Sequence, residues 1–265
     1  MSSISRDEYY AASASGARIS FHALLDFFKN GKEYKRHITG EVPQPAPTRE
    51  MFIGTATHAL ILEGRAKYDA EYTIADGPIN PKTGAPYGKE TKAFRDWLAE
   101  QQKPIITTEE AAQIEAMNAA VREHAIAAQL LAQGSAENVV TFQWCELPCQ
   151  SMIDWINPAF AIIDLKTCAD IDRFVWQARD ARYIAQLAFY RHAIEATTGQ
   201  RLECYIIAVE KAARPRCGVY MIPSPDLDEA EDWLMTQLNA LADARESGLW
   251  RDGYEDLRML TLHNN

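Results

Sequence analysis

The sequence lacks a surplus of basic residues. Lys and Arg number 27 against 37 Asp and Glu, a formal net charge of −10 over 265 residues, with a pI near 5.1. A protein that coats nucleic acid with its whole surface is basic, so that class is excluded. An enzyme that gathers its cations in one groove and its acids around a metal is not. The sequence also lacks a long apolar run: none approaches the roughly 20 residues a membrane-spanning helix needs. The opening MSSISRDEYYAASASGARIS has one early Arg and no apolar core of a secretory signal, so a cytoplasmic location is expected. Cysteine is sparse. The five, Cys145, Cys149, Cys168, Cys204 and Cys217, are odd in number and fit no zinc or disulfide spacing. They are expected as buried or incidental thiols in a reducing compartment. Internal repeats are absent as well.

What is present is an ordinary globular composition, 47% hydrophobic and 24% charged. Phe21, Leu24, Leu25 and Phe28 have helical period, with Ser20 as N-cap and Gly31 past the end. A Pro-rich connector, EVPQPAPTRE, precedes a helix expected from Met51 to Glu63 and closed by Gly64. ADGPINPKTGAPYGKE reads as a long loop. Two helices follow, KETKAFRDWLAEQQ and TTEEAAQIEAMNAAVREHAIAAQLLAQG, the second with a capping-box start. ENVVTFQWCEL, CQSMIDWI and AFAIIDLKT then read as a three-strand antiparallel meander, split by LPC and NP. DARYIAQLAFYRHAIEATTG returns to helix. ECYIIAVEK and CGVYMIPS are strands joined by the basic loop AARPR, and a last helix spans about 226–246. The fold class is therefore α/β or α+β, a central mixed sheet flanked by helices. One domain over 1–265 is expected, irregular at about 1–18 and 250–265.

The strand AIIDLKT places Asp164 and Lys166 inside an apolar run, and alternation puts both on one face. Two other acid-x-Lys triplets, Glu33-Tyr34-Lys35 and Glu90-Thr91-Lys92, lie in polar helical surroundings and read as solvated faces. Asp154 sits in the preceding strand between Ile153 and Trp155, and Glu137 opens the strand before that. A three-residue loop near Asn157-Pro158 would pair Asp154 with Ile162 and put both Asp on one face, whereas a two-residue loop would separate them. Converging carboxylates repel unless a cation sits between them, and oxygen donors select Mg²⁺ or Mn²⁺. Such an ion polarises a phosphodiester and acidifies a bound water, and a nearby Lys can orient that water or stabilise developing charge. That is one reading. The other is a buried structural ion pair between Asp164 and Lys166. Downstream, Gln186 and Tyr190 share a helix face, with Tyr183 beside it, and a buried Gln there needs a partner.

In order, an acid, then Asp-x-Lys on the next strand, then Gln-x-x-x-Tyr on a helix resemble the PD-(D/E)XK nuclease superfamily in its RecB-like branch. GTATHALILEG, IIDLKTCADIDRF and ARYIAQLAFY look like the nuclease domain of the RecE (exonuclease VIII) family, over about 20–220. The resemblance implies a restriction-endonuclease-like core. It implies that Asp154, Asp164, His58 and the carbonyl of Leu165 hold Mg²⁺ (Mn²⁺ is the alternative), with Glu137 as an additional acid. Lys166 would position or activate water, and Gln186 and Tyr190 would anchor the site or touch the DNA backbone. It implies 5′→3′ degradation of linear double-stranded DNA, leaving 3′ single strands for a RecT-like annealing partner, by a homo-oligomeric ring. A nuclease domain alone, of phage or prophage origin, is the expected context.

Ser20 is matched to a hydroxyl near the DNA end. Arg173, Arg179, Arg182, Lys211, Arg214 and Arg216 are candidates to grip phosphates, against a solvated-surface alternative. Trp176 and Tyr183 could stack on bases, but core packing is the favoured expectation. Two rival functions stand beside this one. A RecB-like single-strand nuclease with an iron–sulfur cluster needs four cluster cysteines, and none of the Cys pairs here flanks the site in that way. A degenerate DNA-binding subunit would not need Asp154, Asp164 and Lys166 intact.

Overall fold

The computed structural model describes residues 4–43 and 45–257. The chain begins with helix α1 (Arg6–Ala14), closed at its start by a reciprocal Ser5–Glu8 capping box. Residues 1–18 were expected to be irregular, so this is a correction. Ser20 caps α2 (Phe21–Lys29) as expected, but Gly31 opens α3 (Gly31–Ile38) instead of trailing a helix end, because Asn30 caps it. Helix α4 (Arg49–His58) continues into a π-helical turn, Ala59–Glu63. Gly64 at φ 91° ends it, and α5 (Arg65–Glu71) follows. Strands β1 (Thr73–Ile74) and β2 (Ile105–Ile106) form a small parallel pair around α6 (Lys92–Ala99). The single long helix expected next is divided at His124 into α7 (Thr108–Glu123) and α8 (Ala125–Leu130). His124 has extended backbone, and its Nδ1 accepts the Ala127 N–H.

The main sheet comprises β3 (Ser135–Trp144), β4 (Leu147–Asn157), β5 (Ala161–Cys168), β6 (Glu203–Glu210) and β7 (Cys217–Ile222), in that spatial order. The first three form the expected antiparallel meander, β5 and β6 are parallel, and β6 and β7 are antiparallel. A parallel pair requires a crossover, supplied by α9 (Phe174–Asp180) and α10 (Tyr183–Thr198). Helix α11 (Ser224–Ser247) packs on α10, and residues 250–257 are irregular as expected, while 258–265 lie outside the described residues. The mixed sheet with helices on both faces agrees with the expected fold class.

Two turns set the register. Cys145 and Glu146, at φ 47° and 61°, form a two-residue hairpin loop of the kind that needs positive φ at both positions. Trp144 therefore pairs with Leu147, and Leu147-Pro148-Cys149, read as a break, belongs to β4. The β4–β5 loop has three residues, 158–160, and Asn157 pairs with Ala161. The Asn157 side chain accepts the Ala159 N–H at 3.1 Å and moves the loop one residue later than expected. Ile156, not Asp154, consequently pairs with Ile162. The shift is two residues, so the faces are preserved. The same register, continued one step past Trp155–Ile163, sets Asp154 opposite Asp164.

The two faces of the sheet carry separate cores. One joins Ile162, Ile206 and Ala208 to α2, α10 and α11; the other joins Ile163, Leu165, Ile207 and Val209 to the π turn, α7 and α8. Each fully buried aliphatic chain contributes roughly 1.5–3 kcal/mol. A one-residue slip of β5 would send every one of these side chains to the wrong face. Among the described residues no helix is long and apolar enough to cross a membrane. Cys149, Cys168 and Cys204 are buried free thiols, and Cys145 and Cys217 are half-buried.

Candidate active site

Strand β5 carries Asp164 and Lys166 on the face turned toward α10. Lys166 Nζ lies 2.7 Å from Asp164 Oδ2. The Asp164 carboxylate is buried, and neither oxygen has an aligned hydrogen-bond donor among the described residues. Burial outweighs the attraction of Lys166 and, with repulsion from Asp154, raises the Asp164 pKa to about 6. Lys166 is pushed down by burial, but Asp164 and Asp154 win and its pKa is raised, so it stays an ammonium. It also sits over the Tyr183 ring, 4.8 Å from the centroid.

The β3–β4 ladder is interrupted at Glu137 and Asp154, which the register sets opposite one another. Glu137 has left-handed backbone, φ 52°. Ala136 packs in one core, but Val140, Phe142 and Trp144 pack in the other; Ile153 and Trp155 divide likewise. Residues of one parity thus change face at this row, and the distortion aims Glu137 and Asp154 out of the ladder. Strained backbone of this sort costs about 1–3 kcal/mol and concentrates at functional sites. Asp154 Oδ2 accepts the Leu165 N–H at 2.9 Å. His58, at the end of α4, brings Nδ1 to 3.5 Å from Asp154 Oδ2. Ligand-capable atoms of His58, Glu137 and Asp154 all lie within 4.8 Å of one another.

These three line a cleft of about 440 Å³ with Leu165, Lys166 and Tyr183. Burial, then the charge of Lys166, holds the His58 pKa down to about 4, so the ring is neutral and able to bind metal. Burial and Asp154 push Glu137 up to about 7, and burial raises Asp154. The cleft wall has five carboxylates, Glu50, Glu63, Glu71, Glu137 and Asp154, against three cations, Arg6, Lys166 and Lys211. Such an imbalance around strained, desolvated acids fits a divalent cation. The donor set, one imidazole with carboxylates, fits the same conclusion.

The structure separates the other expected site residues. Gln186 and Tyr190 are buried and do not line the cleft; Gln186 Nε2 donates to Tyr190 Oη at 2.8 Å. Asp164 does not line the cleft, but its ion-pair partner Lys166 does. Ser20 is buried, caps α2 and contacts Ser13, away from this cleft. Of the basic set, Lys211 alone lines the cleft. Arg182 stacks on Phe28 and Trp233, and with Arg179 it borders a separate apolar groove of about 630 Å³. Arg216 is committed to Glu210 and Asp172. Arg173 and Arg214 are exposed elsewhere on the surface. Of the two aromatics, Trp176 is exposed, against the core expectation, whereas Tyr183 is half-buried and packs on the core as expected while also lining the cleft.

Sequence reasoning missed Arg6, Glu63 and Glu71. Arg6 Nη2 lies 2.6 Å from Glu63 and 3.4 Å from Glu137, and Nη1 lies 3.8 Å from Glu71. Their separation along the chain left no spacing signal.

Residues 20–257 match the family described as a PDDEXK-like domain of unknown function (DUF3799). The chain belongs to this family. No curated protein matches the sequence. Among solved structures, the PDDEXK-like chain resembles a putative exonuclease from Eubacterium rectale, at TM-score 0.71 and 16% identity, covering 100% of this chain and 97% of that one. This likeness shows a shared fold. An alkaline exonuclease from Laribacter hongkongensis aligns at TM-score 0.35 and 11% identity, over 91% and 95% of the two chains.

Proposed function

We propose that the protein is a divalent-metal-dependent deoxyribonuclease. The observation that carries this is the convergence of His58, Glu137 and Asp154 beside Lys166 in a PDDEXK-like chain. Those three residues would hold the ion; the buried Asp164 carboxylate, ion-paired to Lys166, would be a further oxygen donor. When bound, the ion supplies charge to a phosphodiester oxygen and acidifies a water. The imidazole donor makes Mn²⁺ at least as good a fit as Mg²⁺. Lys166, whose pKa its two acidic neighbours raise against burial, would donate to the phosphate or to the attacking water. Lys211 at the rim meets the DNA backbone.

In the finer reading the substrate is linear double-stranded DNA, degraded 5′→3′ to leave a 3′ strand for a RecT-like annealing protein. The enzyme works as a homo-oligomeric ring of the RecE type. The order of motifs along the chain and the exonuclease description of the Eubacterium rectale protein support this reading. Linear duplexes labelled at either the 5′ or the 3′ strand end test it. Early release of 5′ label, dependence on Mg²⁺ or Mn²⁺, and sparing of circular duplex are expected. Early release of 3′ label would reverse the polarity. Loss of circular duplex would make the enzyme an endonuclease, and no metal-dependent loss of any DNA would leave a binding module.

A further inference from the structure

Helix α1 carries two neighbouring tyrosines that meet opposite environments. Tyr9 is buried, and its carbonyl accepts Gln150 Nε2 at 2.7 Å. Tyr10 is 57% exposed, yet its ring is braced against Tyr9 at a near-perpendicular 81°, with centroids 5.5 Å apart. The helix itself is fixed. Gln150 is buried and accepts from Arg18 Nε at 2.8 Å, and Ser13 contacts the Ser20 hydroxyl at 3.0 Å. The fold thus holds an exposed aromatic ring in one place. Burial, then the Glu137 carboxylate, raises the Tyr10 pKa, so the phenol is neutral.

That place lies between two hollows. Tyr10 lines the metal cleft, and it is the one residue that also lines a second hollow of about 400 Å³. The second hollow offers hydroxyls of Ser13, Ser20 and Tyr34, the His22 imidazole and the Asp26 carboxylate. Among the described residues no Lys or Arg lines it. The Tyr34 hydroxyl is buried with no aligned hydrogen-bond partner there, although Arg245, which donates to the Gly16 carbonyl, lies near it. Buried polar groups are ordinarily satisfied, so one left short in the wall of a hollow is available to a ligand.

The charge of this lining decides what it takes. A phosphate is held by cations or by several N–H donors, and here it would meet the Asp26 carboxylate. An uncharged planar ring with donors and acceptors on its edge suits these groups. A nucleotide carries such a ring one sugar away from its phosphate. We propose that Tyr10 and the hollow beside it form a nucleobase subsite. The base of the nucleotide whose phosphate lies at His58, Glu137 and Asp154 stacks on the Tyr10 ring. This rests on the nuclease reading of the cleft. Every base has a π face, and hydroxyls can donate or accept, so the subsite senses the presence of a base and not its identity.

The test is steady-state cleavage of linear duplexes in Mn²⁺, with the nucleotide at the attacked end either intact or abasic. For the native chain, removing that base is expected to lower kcat/KM about 10-fold or more, chiefly through KM. Tyr10→Phe keeps the ring and keeps this discrimination. Tyr10→Leu and Tyr10→Ala lose it: they cleave intact ends as slowly as abasic ones. The Leu variant keeps apolar volume without a ring, so it serves if the Ala variant fails to fold. Full discrimination in Tyr10→Leu, or equal losses on intact and abasic ends, would overturn the proposal and leave Tyr10 a packing residue. Metal-dependent cleavage by the native chain with no discrimination would overturn this inference alone. No metal-dependent cleavage of any DNA would overturn the nuclease reading and this inference with it.

Discussion

Among the described residues, Arg191 on α10 and Asp164 on the strand face turned toward that helix are charged side chains almost wholly buried, and they are treated differently. Arg191 on α10 donates to Asp228 at 2.6 Å and to Glu231 at 3.2 Å, both on α11, and Arg201 joins the same acids. Asp164 on β5 has both oxygens without an aligned donor and one ammonium as its ion-pair partner. A buried charge with its hydrogen bonds satisfied is part of the scaffold. A buried charge left short of partners beside a cleft of acids marks a candidate functional site. The contrast separates structure from chemistry in a chain with ion pairs in both places.

Substitution should split the two sites. Lys166→Ala is expected to lower nuclease turnover by about 10²–10³-fold, with the fold retained in circular dichroism. Arg191→Ala should do the reverse: about 2–4 kcal/mol of stability lost in urea unfolding, and unchanged turnover per folded molecule. Equal loss of turnover in both variants would erase the distinction.

The next effect depends on pH. Glu137 is raised from 4.5 to about 7, and Asp164 from 3.8 to about 6. The folded state therefore holds these protons more tightly than the unfolded chain. Their contribution to stability is best below the unfolded pKa values and is lost as pH rises through about 6 to 7, Glu137 alone costing on the order of 3 kcal/mol. His58, lowered from 6.5 to about 4, has the opposite sign: its contribution is present above 6.5 and is lost as pH falls through 4. Melting temperatures in chelator and in Mg²⁺ should diverge from about pH 5 to pH 8, because the ion replaces the missing protons. A constant gap would contradict this.

Smaller effects sharpen the boundary of the site. Tyr190→Phe removes the acceptor of Gln186 Nε2 and should cost about 1 kcal/mol in thermal unfolding, with turnover reduced less than that of Lys166→Ala. Lys211→Ala should weaken DNA binding and reduce the salt slope of the binding constant by about 1, whereas Arg216→Ala should leave that slope unchanged. Fluorescence titrations at several salt concentrations compare them.

The regular parts of this molecule were legible in its sequence. Period-2 alternation placed Asp164 and Lys166 together, and the i, i+4 rule paired Gln186 with Tyr190. The matching parity of Asp154 and Asp164 survived an error in the loop, because the Asn157 side chain moved the register by two residues, but the β4–β5 ladder stops at Trp155, and Asp154 lines the cleft while Asp164 does not. Irregular backbone was not legible. The π turn that aims Glu63 and the left-handed Glu137 have no signature in residue type. Nor does charge reveal partnership: Arg216 and Lys211 read alike, yet one is spent on Glu210 and Asp172 and the other lines the cleft. Arg6 was hidden by distance, 131 residues before Glu137, in a segment read as irregular.

The central claim is that His58, Glu137 and Asp154 form one metal centre beside Lys166. Anomalous diffraction from crystals soaked in Mn²⁺ tests it most directly. The account predicts a peak among His58 Nδ1 and the carboxylates of Glu137 and Asp154. A chain that degrades DNA with Mn²⁺ but shows no peak there, or shows it only elsewhere, would contradict it.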